Sequence, residues 1–121
     1  MLEIARQLEL NDLYVNKNFE ALAEHPYIYL KPEWAMDLAK GKKSVRCSLA
    51  NNPALAQLPE VAMKLVKDDY RPIRKILAYN PALPQLPDVA MELYKDKDFF
   101  IRQLGSQALA HPQTIPRSPL P

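Results

Sequence analysis

Two glycines, two histidines and one cysteine in 121 residues leave little room for several common kinds of chemistry. The single Cys47 has no partner for an internal disulfide, and with only His25 and His111 the chain lacks the ligands of a structural zinc site. One thiol fits a reducing compartment, so a cytoplasmic location is expected. Gly41 and Gly105 stand alone, which excludes a glycine-rich loop of the kind that cradles phosphates. No apolar run approaches the roughly 20 residues that span a bilayer, and the opening MLEIARQLELND mixes acids into its apolar residues, unlike a signal peptide. Charge of one sign is also missing. A net charge of +2, with bases and acids interleaved, is too weak by itself to imply nucleic acid or an anionic membrane. With 48% apolar and 25% charged residues, the chain has the composition of one ordinary globular domain with a continuous core.

What the chain has is proline, twelve residues of it, recurring at matched places. The stretch VRCSLANNPALAQLPEVAMKLVKD, Val45 to Asp68, returns 28 positions later as IRKILAYNPALPQLPDVAMELYKD, Ile73 to Asp96. Self-similarity at such a period is the signature of stacked helical units. A shorter slot of proline, acid, apolar residue, alanine, methionine, polar residue and leucine occurs three times, beginning at Pro32, Pro59 and Pro87. Proline suits a first helical turn, where its missing N–H would have no partner, and the acid behind it complements the positive end of the helix dipole. Each slot therefore predicts a helix of about two turns, marginal alone and dependent on neighbours. A second helix is expected in each unit, over Ser44 to Asn51, Pro72 to Tyr79 and Phe99 to about Ala110. The connectors ALAQL and ALPQL between them should tuck their leucines under the helices.

The spacing further predicts a capping helix over Met1 to about Asp12, with Leu2, Ile4, Ala5, Leu8 and Leu10 on its apolar side, and a short helix over Phe19 to Glu24. The expected organisation is a single domain over 1–110, with an N-terminal cap at 1–17, units at 18–43, 44–71, 72–98 and 99–110, and a proline-rich tail at 111–121. The fold class is all-α.

The string V-R-x-x-L-A-x-N-P, followed by P-E-V-A-x-x-L and an aspartate before the next I-R, resembles the leucine-rich repeat variant family, a relative in logic of HEAT-type arrays. The resemblance covers roughly Phe19 to Pro112 and is sharpest from Val45 to Arg102. It implies paired short helices stacked into a right-handed superhelix, here a short α-solenoid of about four units, and a binding scaffold without a named ligand. The unit of 28 residues is longer than the family's usual two dozen, the extra length lying in the connector. Some members carry an amino-terminal cysteine cluster for an iron–sulfur centre; with Cys47 alone, no such cofactor is carried over, and none is expected.

The repeat also disposes of catalytic candidates. His25 and His111 precede Pro26 and Pro112, where Asn52 and Asn80 precede Pro53 and Pro81, so the histidines fill a helix-terminating cap slot. Cys47 shares its slot with Lys75 and Gln103 and is expected to face solvent. Glu33, Glu60 and Asp88 are helix-start acids. Asp68 and Asp96 lie six residues before Arg74 and Arg102, and the family pattern implies an Asp–Arg ladder between successive helices. The arginine column itself, Arg46, Arg74 and Arg102, with Lys43 and Lys75 nearby, is the alternative to that ladder: a positive stripe for phosphates or acidic peptides. Tyr79 beside Arg74 is the kind of exposed aromatic that protein interfaces favour, and Trp34, standing where Val61 and Val89 stand, reads as the filler of an end layer. The expected function is a non-catalytic adaptor that recognises another protein through its repeat-built surface, with candidate contacts Arg46, Arg74, Arg102, Lys43, Lys75 and Tyr79. A nucleic-acid-binding repeat protein using the arginine column is the alternative, and no membrane partner is expected.

Overall fold

A computed structural model describes residues 2–110, and within them the regular structure is entirely helical. The proline-rich tail and His111 lie outside the described residues. Eight α-helices follow one another: α1 (Leu2–Val15), α2 (Phe19–Glu24), α3 (Pro32–Leu38), α4 (Lys43–Ala50), α5 (Pro59–Val66), α6 (Arg71–Ala78), α7 (Pro87–Tyr94) and α8 (Phe99–Ala110). The three proline-led slots become α3, α5 and α7, each with its proline in the first turn and its acid behind it. The connectors wind into 3₁₀ turns at Ile28–Leu30, Pro53–Gln57 and Leu83–Gln85. Their leucines, Leu55, Leu58, Leu83 and Leu86, are buried, as the sequence predicts.

Helices this short lack the length to hold themselves in water, so each depends on what it packs against. α2 lies against α4, α4 against α6, and α6 against α8; α3 lies against α5 and α5 against α7. One core runs between the two sets. Leu22, Leu49 and Leu77 enter it from α2, α4 and α6, and Leu38, Leu65 and Leu93 from α3, α5 and α7. Burying each such side chain stabilises the fold by about 1.5–3 kcal/mol relative to leaving it in water.

α8 presses most closely on α7, and Gly105 is what permits it. A Cβ at Gly105 would stand 2.7 Å from the Tyr94 nitrogen and 2.9 Å from the Ala90 oxygen. Both are backbone atoms, which cannot swing aside as a side-chain tip can. Gly105→Ala should therefore lower stability by about 1–3 kcal/mol through overpacking, measured as a drop in urea midpoint with an unchanged slope.

The N-terminal helix departs from expectation. Leu10 is buried, but Leu2, Ile4 and Leu8 are exposed. At 100° per residue, Ile4 and Leu8 lie far round the helix from Leu10, so the face that meets α2 leaves them in solvent. α1 also runs three residues past the expected Asp12, to Val15, and in the turn that follows the φ of 56° at Lys17 lets the Asn18 N–H turn back to the Leu13 carbonyl.

Candidate functional site

Arg46 and Arg74 are spent inside the molecule. Arg46 donates from Nε and Nη2 to both Asp68 carboxylate oxygens, at 2.8 and 3.3 Å, and from Nη1 to the Gly41 carbonyl at 2.7 Å. Arg74 grips Asp96 in the same way, at 2.7 and 3.4 Å, with Nη1 on the carbonyls of Asp68 and Asp69. Arg74 is only 7% exposed. Each pair joins the first helix of a unit to the loop that leaves that same unit, while the aspartate's own oxygen accepts from the backbone two residues on, at Tyr70 and Asp98. These are the rungs of the Asp–Arg ladder. As a contact stripe the column is largely closed at Arg46 and Arg74, because a guanidinium whose Nε and Nη2 already face a carboxylate and whose Nη1 is held by carbonyls has little left to offer a ligand.

A second ladder runs beside it. Asn80 donates from Nδ2 to the carbonyls of Ala50 and Asn52, at 2.7 and 3.0 Å, and its Oδ1 accepts from the Ala82 N–H. Asn52 repeats the pattern on Ala23, His25 and Ala54. His25, in the same slot, accepts from the Tyr27 N–H through Nδ1 and turns Nε2 to Glu9 of α1. The slot is thus a cap, but it caps the end of the preceding helix in the stack and starts its own 3₁₀ turn. Spacing alone identifies a helix-terminating residue; the reach to carbonyls 28 and 30 residues away comes from tertiary structure.

With most of the identical residues occupied in core and ladders, some of the differences between units stand out. Cys47/Lys75, Ser48/Ile76 and Asn51/Tyr79 all fall on α4, α6 and their C-terminal caps, and the same positions on α8 are Gln103, Leu104 and Gln107. Three side chains of this face come together: the Tyr79 and Phe100 rings lie 6.3 Å apart, and Lys75 Nζ sits 5.4 Å from the centre of the Phe100 ring. Tyr79 is 58% and Phe100 45% exposed. Two of the six sequence-derived contacts, Lys75 and Tyr79, belong to this cluster. Phe100 was not among them, since it stands where the other units have Ser44 and Pro72 and no slot pattern marks it. Lys43 lies elsewhere, with Nζ 4.4 Å from the centre of the Tyr70 ring. Cys47 is half-buried against the core, not solvent-facing as expected, because its side of α4 turns partly toward the neighbouring helices.

Where the first unit departs from the repeat, a groove of about 520 Å³ opens. In the register that aligns Pro32 with Pro59, Phe19 takes the place of Arg46 and Gly41 that of Asp68. The rung is missing, and Phe19, Gly41, Leu22, Leu38 and Val45 line the space with Tyr14 and Trp34. Trp34 is half-buried, its ring stacked 4.2 Å from that of Tyr14 and nearly parallel to it.

An outer ion pair links Arg71 to Asp98, which also accepts from the Ile101 N–H at the start of α8. The hydrogen bond from Arg71 holds Asp98 down to about 2, from an ordinary value of 3.8, and the Ile101 N–H adds to the effect. A depressed carboxylate contributes stability that is present above its unfolded value and lost as pH falls toward the folded one. The Asp98 contribution should therefore hold above about pH 4 and disappear between 3.8 and about 2. A carboxyl ¹³C NMR titration of Asp98 checks this.

Among the described residues no cluster of His, Cys, Asp or Glu is arranged to hold a metal ion, and no helix is long and apolar enough to cross a membrane. Comparison with protein-family models, with curated proteins and with solved structures finds no match.

Proposed function

We propose that the chain is a non-catalytic binding module, a short right-handed α-solenoid of 28-residue units that recognises another protein through the face of α4, α6 and α8. The observation that carries the reading is the division of labour between repeated and variable positions. Most residues shared by successive units are buried or tied into the two ladders, the exposed exceptions being Pro53/Pro81, Gln57/Gln85, Pro59/Pro87, Lys67/Lys95 and Met91, whereas a group of those that differ gathers on one outer face around Lys75, Tyr79 and Phe100. A scaffold with a constant interior and a variable surface is how repeat proteins set partner preference. Exposed aromatics beside a cation are the side chains that dominate protein–protein binding energy. Nucleic acid is the weaker alternative, because a phosphate backbone calls for several available cations in a row and two of the three column arginines are paired with aspartate.

The test is co-purification from native lysate after nuclease treatment, comparing the wild-type chain with Tyr79→Ala and Phe100→Ala. A partner retained by the wild type should bind each variant about 30-fold more weakly, the effect of losing a hot-spot aromatic, while the thermal midpoint stays put because both side chains are exposed. Binding abolished by nuclease would replace this reading with the nucleic-acid one.

A further inference from the structure

Arg102 is the third member of the arginine column, and its backbone anchorage repeats that of Arg74. Its Nη1 donates to the carbonyls of Asp96 and Lys97, six and five residues back, at 3.0 and 3.1 Å. Arg74 makes the same pair of bonds to Asp68 and Asp69. In Arg46 and Arg74 this anchorage leaves Nε and Nη2 directed at a carboxylate. At Arg102 no carboxylate lies within ion-pair distance among the described residues. The ring of Phe99, 64% exposed, lies 5.6 Å from the guanidinium carbon.

We propose that Arg102 is an open rung of the ladder, a preset receptor for an Asp or Glu carboxylate presented by a partner protein, with Phe99 as the apolar contact beside it. The molecule demonstrates the recognition twice in its own interior, with bidentate geometry that matches a fork of N–H donors to two carboxylate oxygens. Because the backbone anchors already fix the guanidinium, a ligand meets donors in place and less side-chain freedom is lost on binding. A single carboxylate fits better than a nucleic-acid backbone: a run of phosphates would have to continue onto Arg74 and Arg46, where Asp96 and Asp68 already sit. That the carboxylate comes from a protein rests on the binding-module reading above; the receptor geometry does not.

The test follows the arginine Nε–Hε signals of the full chain by NMR, titrated with sodium acetate, with sodium chloride at matched ionic strength, and with inorganic phosphate. The expected result is that Arg102 moves more with acetate than with chloride, by a larger margin than any other arginine. Arg46 and Arg74 should stay still, and Arg102→Gln should remove the response without unfolding the chain. An Arg102 signal that follows acetate no further than chloride overturns the proposal. A larger response to phosphate than to acetate overturns it in favour of a phosphate ligand. If instead the Tyr79 and Phe100 variants leave partner binding unchanged while acetate still moves Arg102, the proposed binding face fails and the open rung stands.

Discussion

Arg74→Ala should destabilise the protein by about 3–5 kcal/mol, the usual consequence of removing one partner from a buried ion pair. The magnitude follows from what is left behind. Asp96, whose side chain is 6% exposed, keeps its charge without its counterion, and the carbonyls of Asp68 and Asp69 lose their donor. For a domain of this size the loss corresponds to a fall in melting temperature of about 10–20 °C. Arg102→Gln, by contrast, removes two backbone hydrogen bonds at a half-exposed position and strands no carboxylate among the described residues. Thermal denaturation of the two variants side by side separates a rung that holds the fold from one that awaits a ligand. Equal losses would mean that the described pairing of Arg74 contributes nothing particular.

Asn80 carries a comparable penalty through neutral groups. It is 3% exposed, and its amide satisfies two buried carbonyls and one backbone N–H at once. Asn80→Ala leaves all three without that partner, at about 1–3 kcal/mol for each group that finds no substitute, for an expected total of about 3–5 kcal/mol. Asn80→Asp keeps the shape and the acceptor for Ala82 but turns a carboxylate toward two carbonyl oxygens. At neutral pH it should be at least as damaging as alanine. Lowering the pH protonates the carboxyl and restores one donor, so its deficit relative to the wild type should shrink in acid, whereas that of Asn80→Ala should not. Chemical denaturation at two pH values reads the difference directly.

The helical layout was legible because its signals are local and repeated. Proline, acid and spaced leucines mark α3, α5 and α7, and the period marks their partners. The family resemblance implied an Asp–Arg ladder with Asp68 and Asp96 ahead of Arg74 and Arg102; the structure pairs those carboxylates with Arg46 and Arg74 instead, 22 residues earlier in the chain. What sequence could not give were properties of a face. Whether Leu8 is covered depends on which side of α1 meets α2, and whether Cys47 is half-buried depends on how closely α4 approaches its neighbours. Phe100 was left out of the candidate contacts for a related reason. Its neighbours in space, Lys75 and Tyr79, belong to the previous unit, and its own slot holds Ser44 and Pro72 elsewhere. The groove by Trp34 marks the converse case. There the repeat is broken at Phe19 and Gly41, and only packing shows that the missing pair leaves space.

The most direct test of the proposed binding face is to place a photo-crosslinking amino acid at position 79 on the α6 side and, separately, at position 91 on α7, then irradiate each protein in native lysate after nuclease treatment. Both positions are exposed, and they belong to different helix sets. The account predicts one discrete protein adduct from position 79, suppressed by adding Phe100→Ala, and none of that mass from position 91. The same adduct from both positions, or an adduct from position 91 alone, would contradict it.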